Sequence, residues 1–294
     1  MGTLDGRVMI ITGAARGMGR EHALLCAAEG AHVVVNDLGC GADGQGVDPT
    51  LAAAVVEEIE ASGGVAIANT DDVATMGGAA NLVQQAVDVF GDVHVLVNNA
   101  GVLRDRMFVN MSEDDWDVAI RGHLKSVFCP TRAASERWRT RSKAGDQVAA
   151  SVISMSSTSG LLGAVGQSNY GAAKAGIAAL TVILAEELGR YGVRVNALTP
   201  VARTRMTEGA PGIADMVRVP EDPSAFDIYH PGNVAPFVAW LATEACPVTG
   251  EVYYVKGGQV GQYSGWEYTT VLERDARWNV AELAAAMAAP DHSS

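Results

Sequence analysis

Tyr170 and Lys174 stand four residues apart in NYGAAKAGIAALTVILAEEL, a helically patterned segment, so both side chains fall on one helix face. A tyrosine hydroxyl ordinarily titrates near ~10 and is a poor base at neutral pH. An ammonium on the same face favours the phenolate, and lowering the hydroxyl by ~3 pH units corresponds to ~4 kcal/mol. Such a pair is common on helix surfaces and means little alone. Ser157 changes its weight. It lies 13 residues earlier, in MSSTSG, at the end of a strand-like run. A hydroxyl there can hold a substrate oxygen while Tyr170 exchanges a proton with it.

A second group sits near the start. TGAARGMG, Thr12 to Gly19, follows the first apolar run and opens the first helical segment. Glycines at 13, 17 and 19 let the backbone turn sharply and approach a pyrophosphate on the helix N-terminus. Asp37 ends the second strand-like run, 18 residues after the last of them. A carboxylate there hydrogen-bonds adenosine ribose hydroxyls and repels a 2′-phosphate, which favours NAD over NADP. Arg16, a cation inside the glycine loop, pulls toward the phosphate. Asp37 outweighs it, because a carboxylate in direct reach of the ribose counts for more than a flexible cation.

The elements that must position these residues are short apolar, β-branched runs alternating with longer helical patterns. Strands are expected at 7–12, 31–36, 65–69, 93–97, 148–155, 193–198 and 251–255. Most are near-continuously apolar, as in parallel strands covered on both faces. The expected architecture is α/β: a single doubly wound parallel sheet of seven strands, a Rossmann fold with helices on both faces. Three segments break the rhythm: a Gly/Asp-rich insertion at 38–49, a long Pro-rich connection at 202–232, and a tail at 257–294 with aromatics and an Ala-rich helix. Loops as long as the second are usually functional, so it is read as a substrate loop. No internal repeat or dividing linker is evident, and 1–294 reads as one cofactor-binding and catalytic domain.

Composition narrows the function classes. With 21 Lys and Arg against 34 Asp and Glu, the net charge of −13 argues against a nucleic-acid surface. Cys26, Cys40, Cys129 and Cys246 show neither paired spacing nor a His-rich setting, so neither a disulfide framework nor a metal site is expected. The uncharged stretch from Gln147 to Ala173 is too rich in Ser, Thr, Gly, Gln and Asn to sit in lipid. MGTLDGRVMI lacks the cationic start of a signal peptide, Gly6 stands where myristoylation needs Ser or Thr, and DHSS is no targeting signal. A cytoplasmic protein without a membrane partner is expected.

TGxxxGxG, Asp37, Asn98-Asn99-Ala100-Gly101, Ser157 and Tyr170-x-x-x-Lys174 follow the order and spacing of the short-chain dehydrogenase/reductase family, which the chain resembles from about Leu4 to about Gly258. The resemblance implies an NAD-dependent enzyme interconverting a secondary alcohol and a ketone. Tyr170 would be its acid/base, Lys174 the partner that tunes Tyr170 and holds the ribose, and Ser157 the oxygen holder. It implies that Gly13, Arg16, Gly17, Met18 and Gly19 cradle the cofactor, that Asp72 and Val73 flank the adenine, and that Asn99, Ala100 and Gly101 line the cofactor after the fourth strand. Within the family, VVVNDLG, NNAGVLRDR, EDDWDVAIRGHLKSVF, GQSNYGAAK and ALTPVARTRMT resemble the (3R)-hydroxyacyl-CoA dehydrogenase branch. That branch carries His123 where most members hold a proton-relay water with Asn, which places His123 among the catalytic residues. Two departures stand out: Pro200-Val201 replaces the usual Pro-Gly, and the substrate loop matches only in its first turn.

The expected substrate is therefore a 3-hydroxyacyl-CoA or a steroid-like alcohol, handled by a homodimer or homotetramer. The alternatives are a CoA-independent carbonyl reductase and a non-catalytic NAD-binding sensor; the intact Ser, Tyr and Lys set argues against the sensor. Arg104, Arg106, Arg203 and Arg205 fall at the same carboxyl edge of the sheet. They either flank a CoA-phosphate cleft or pair with Asp105, Asp114, Asp115 or Glu208.

Overall fold

A computed structural model describes residues 2–41, 46–208, 214–222, 224–268 and 271–288. Parts of the expected insertion (42–45), substrate loop (209–213 and 223) and tail (269–270 and 289–294), with the Glu208 side chain, lie outside the described residues.

The chain falls into two compact units, Met1–Gln262 and Tyr263–Ser294. In the first, apolar runs become strands and Gly- or polar-bounded segments become helices. Their order is β1 (Val8–Thr12), α1 (Gly17–Ala28), β2 (His32–Asn36), α2 (Thr50–Ala61), β3 (Val65–Asn69), α3 (Met76–Phe90), β4 (Val95–Asn98), α4 (Glu113–Ala119), α5 (Ser126–Lys143), β5 (Ala150–Met155), α6 (Thr158–Leu162), α7 (Ser168–Gly189), β6 (Val193–Val201), α8 (Arg205–Glu208), α9 (Ala235–Ala242), β7 (Val252–Lys256) and β8 (Gln259–Gln262). The second unit carries α10 (Val280–Ala288), whose first turn is capped by Asn279 accepting from the Glu282 amide at 2.9 Å.

All eight strands form one sheet in the order β3-β2-β1-β4-β5-β6-β7-β8. Every pairing is parallel except β7 with β8. The winding reverses between β1 and β4, so the ligand crevice expected of such sheets opens at their carboxyl ends, beside Thr12 and Asn98. Side chains alternate between two cores. Met9, Ile11, Val33 and Val35 pack with α1, α2 and α9, whereas Val8, Ile10, Val34 and Leu96 pack with α3, α5 and α7. Burial on both faces is why these strands read as continuous apolar runs.

The sheet has one strand more than the seven expected. β8 is QVGQ at the exposed edge, reached through a turn at Gly257 (φ +53°), and it has no apolar run to reveal it. Among the described residues, no helix is long and apolar enough to cross a membrane.

Candidate active site

At the carboxyl edge, β5 runs out into Ser157, which starts α6 with its Oγ accepting from the Ser159 amide at 3.2 Å. Helix α7 crosses behind it and carries Tyr170 and Lys174 one turn apart. The helix is anchored by Ser156, whose Oγ donates to the Lys174 carbonyl at 2.8 Å, and by Lys174, whose Nζ donates to the Met155 carbonyl at 2.6 Å. The Ser157 side chain lies close enough to Tyr170 to oppose the rise that burial gives its hydroxyl, and Lys174 Nζ lies 5.5 Å from the centroid of the Tyr170 ring. The three residues singled out by type and spacing thus meet.

His123 joins them from a wide π-helical turn, Ile120–Lys125, that links α4 to α5. Such turns recur at functional sites. Its ring meets Tyr170 edge-on with centroids 4.9 Å apart. Burial, with Lys174 nearby, pushes His123 down to about 3, so the ring is neutral at working pH. Nε2–H donates to the Val102 carbonyl at 2.6 Å, which leaves Nδ1 as a buried acceptor without a partner. Gly101 is required beneath it: a Cβ there would lie 2.5 Å from His123 Cε1.

The protonation balance differs from the expected one. Burial pushes the Tyr170 hydroxyl above its usual value; the Ser157 hydrogen bond opposes that, and Asp105 adds to it. Burial also brings Lys174 down to about 7, so near neutral pH the ammonium that was to favour the phenolate is only half present. Tyr170 therefore begins as a phenol, ready to donate.

The glycine loop closes at the β1–β4 switch point. Gly13 (φ +64°) could not carry a Cβ, which would fall 2.7 Å from Ala100 Cα; at Gly19 it would fall 2.2 Å from the Gly13 carbonyl. Asn99 ties the loop down by donating from Nδ2 to the carbonyls of Thr12 and Gly13 at 3.0 and 2.9 Å. Thr12 Oγ1 accepts from the Asn99 and Ala100 amides. The small residues expected to face a cofactor thus also serve the loop's own closure, and Met18 packs against the core behind it. Gly17 (φ +54°) opens α1, whose first turn has neither a side-chain cap nor an acidic residue. Unsatisfied amides at the positive end of a helix suit a pyrophosphate.

Asp37 stands beside this loop, with Oδ2 accepting from the Ala15 amide at 3.0 Å and Oδ1 from the Gly39 amide at 2.7 Å. Arg16 turns to donate to the Cys40 carbonyl at 2.8 Å, and its buried Nε has no partner. Carboxylate and guanidinium thus share the corner where an adenosine ribose would lie, so the residues present fit a dinucleotide. Past β3, Asp72 pairs with Arg121 and accepts from the Ala74 amide at 2.9 Å, while Val73 is buried in the core.

The four arginines divide. Arg203 is tied to Asp227 and donates to the Val217 carbonyl at 3.0 Å, holding the long connection in place; Arg106 lies 3.5 Å from Asp115. Arg205 is exposed at the start of α8, and Arg104 keeps a buried Nε without a partner. Asp227 was missed as a partner because it lies 24 residues beyond Arg203. Also missed was Asn169, fully buried, which donates to the carbonyls of Arg104 and Asp115 at 2.8 Å and accepts from the Tyr170 amide. Its signal was a polar side chain directly before the tyrosine.

Comparison with known proteins agrees with this geometry. The short chain dehydrogenase family model matches residues 7–211. A crystal structure of a short chain dehydrogenase from Mycobacterium avium superposes with a TM-score of 0.86 at 47% identity, covering 98% of this chain and 95% of that one. Hydroxyacyl-CoA dehydrogenase ChsB1 of Mycobacterium tuberculosis is 40% identical over 97% of this chain and 88% of its own length. Peroxisomal multifunctional enzyme type 2 of Mus musculus is 42% identical over 90% of this chain, which spans 33% of that protein. A hydroxyl, a tyrosine and a lysine gathered at the switch point of a doubly wound sheet, with a family match across the whole of that arrangement, make this chain a member of the short chain dehydrogenase family and an oxidoreductase.

Proposed function

We propose that the protein is an NAD-dependent dehydrogenase that oxidises a bulky secondary alcohol, a 3-hydroxyacyl-CoA or a steroid-like relative, in the cytoplasm. The observation that carries the chemistry is Tyr170 and Lys174 one turn apart on α7, with Lys174 Nζ 5.5 Å from the Tyr170 ring and Ser157 at the adjoining strand end. When bound, the nicotinamide cofactor supplies the hydride chemistry. Ser157 holds the substrate oxygen, Tyr170 exchanges the proton at that oxygen, and Lys174 supplies positive charge near the phenol once the site favours its ammonium. His123, neutral and fixed by Val102, keeps the Tyr170 ring from turning.

Two features support the substrate class. A relative named as a hydroxyacyl-CoA dehydrogenase matches 97% of this chain, and the loops flanking the site carry exposed apolar side chains. Phe108 and Val109 in the segment after β4, Leu162 at the end of α6 and Val165 just beyond it are all more than two-thirds exposed. The fixed carboxylate of Asp37 supports NAD. Among the described residues all cysteines are free, which suits a reducing compartment. Exposed Phe128 on α5 and Val182 and Ile183 on α7 support a homodimer or homotetramer.

One observation favours a second reading. Arg106 and Arg203, candidates for CoA phosphates, are engaged by Asp115 and Asp227, which suits a CoA-free ketone or alcohol. Absorbance of reduced cofactor, followed with a 3-hydroxyacyl-CoA and with its CoA-free alcohol, separates the two. A much higher kcat/KM for the CoA ester supports the first reading, and equal values support the second.

A further inference from the structure

The amino ends of the central strands border a cavity on the edge of the sheet opposite the candidate active site. It has a volume of about 210 Å³, and Asp5, Arg7, His94, Trp138, Arg141 and Glu244 are among the residues that line it. The length of β1, roughly 13 Å at ~3.3 Å per residue, separates it from the glycine loop. Pockets for drug-sized ligands hold ~300–1,000 Å³, so this smaller space suits a small ion.

Arg7 sets the chemistry of the cavity. It stands directly before β1, is only 7% exposed, and keeps a buried Nε without a partner. Among the described residues its one side-chain hydrogen bond runs from a terminal nitrogen to the Ala149 carbonyl at 2.9 Å, and it forms no ion pair. A guanidinium keeps its proton at any working pH, and a buried charge without a partner is costly. Arg141 differs, because Asp92 and Asp146 both engage it. The surrounding wall is already fixed. The Val8 amide donates to His94 Nδ1 at 2.9 Å, and Trp138 Nε1 donates to the Val93 carbonyl at 2.7 Å. A ligand entering a preformed wall has little to set in order.

The carboxylates here, Asp5 and Glu244, are both exposed. Burial pulls the Arg7 guanidinium below its usual range; Glu244 offsets part of this, and Arg194 from β6 adds to it. Arg194 donates to the Leu241 and Thr243 carbonyls at 3.0 and 2.7 Å, just before Glu244 in the chain. Water and salt screen the exposed carboxylates far more than the buried guanidinium. The interior of the cavity is therefore positive and its rim negative.

We propose that this cavity binds one small oxyanion, a phosphate or a carboxylate, with Arg7 Nε as its buried anchor. The anion supplies the hydrogen bond and the counter-charge that Arg7 lacks within the fold. The site is separate from the one that holds Tyr170 and does not depend on which alcohol the enzyme oxidises.

The test is calorimetric titration at pH 7 of protein saturated with nicotinamide dinucleotide, which occupies the glycine loop and removes it as a competing anion site. Inorganic phosphate and acetate are the probes, at an ionic strength held constant with chloride. At least one should bind one-to-one with a Kd of about 10 mM or tighter. The tighter of the two tells a phosphate site from a carboxylate site, and either supports the inference. Arg7→Met should abolish the binding. Glu244→Gln, an exposed change, should tighten it about two- to five-fold, the effect of removing one screened like charge. Saturable binding by neither probe overturns the inference, as does binding that survives Arg7→Met or that Glu244→Gln leaves unchanged or weakens. Should Arg7→Met fail to fold, wild-type crystals soaked in selenate decide: an anomalous peak within hydrogen-bond distance of Arg7 Nε supports the site, and its absence there overturns it.

Discussion

Replacing Lys174 by methionine should make the cofactor-free protein more stable, although it removes a residue that the chemistry needs. The reason lies in burial. Lys174 is 5% exposed and held near 7, in place of the 10.5 of an ordinary lysine. Between those values the unfolded chain binds a proton that the folded chain has released, so folding stability rises with pH across that window. Below it the folded state bears the whole penalty, about 5 kcal/mol. Methionine has similar length and no charge, but it leaves the Met155 carbonyl without its donor, a loss of about 1–3 kcal/mol. The net gain is about 2–4 kcal/mol at pH 6 to 7, or roughly 3–7 °C in melting temperature for a chain of this size. It should shrink toward zero by about pH 9, where the remaining penalty of about 2 kcal/mol is offset by the lost hydrogen bond to the Met155 carbonyl. Thermal denaturation of both proteins without cofactor, from pH 6 to 9, checks this. A variant that melts below wild type at pH 6.5, or a difference that ignores pH, would refute the reasoning.

Asp37→Ala should weaken NAD binding by about 10- to 100-fold and narrow the discrimination against NADP, because a charged hydrogen-bond partner of the ribose contributes about 1.5–3 kcal/mol. Fluorescence titration with both cofactors measures it, and native binding that already prefers NADP would make Arg16 the better guide. Gly101→Ala should force its Cβ against the His123 ring and cost about 1–3 kcal/mol by overpacking. The expected signature is a melting temperature lowered by several degrees together with lost turnover, and an unchanged protein would mean that His123 is free to move.

The sheet was legible because its signal is local. Val8–Ile11 and Val33–Val35 are buried on both faces, so every position in them is apolar. Ser157, Tyr170 and Lys174 were legible because one helix turn and one strand end fix their spacing. Contacts between distant elements leave no such trace. Nothing in TGAARGMG says that the neighbour forbidding a side chain at Gly13 is Ala100, nor that Asn99 holds the loop shut. Arg203 finds Asp227, and Asp105 finds Gln167, across 24 and 62 residues of chain. The protonation balance escaped for a similar reason: spacing shows an ammonium near a phenol, whereas only packing shows that burial has weakened that ammonium.

The central claim is that Tyr170 exchanges the proton at the reacting oxygen. Tyr170→Phe tests it most directly, because the substitution removes one hydroxyl and keeps the ring that packs edge-on against His123. Steady-state formation of reduced cofactor should fall by at least ~10²-fold, the usual contribution of a general acid/base group, while cofactor affinity stays near native. A loss of less than about tenfold, with cofactor still bound, would show that another group moves the proton and would contradict the account.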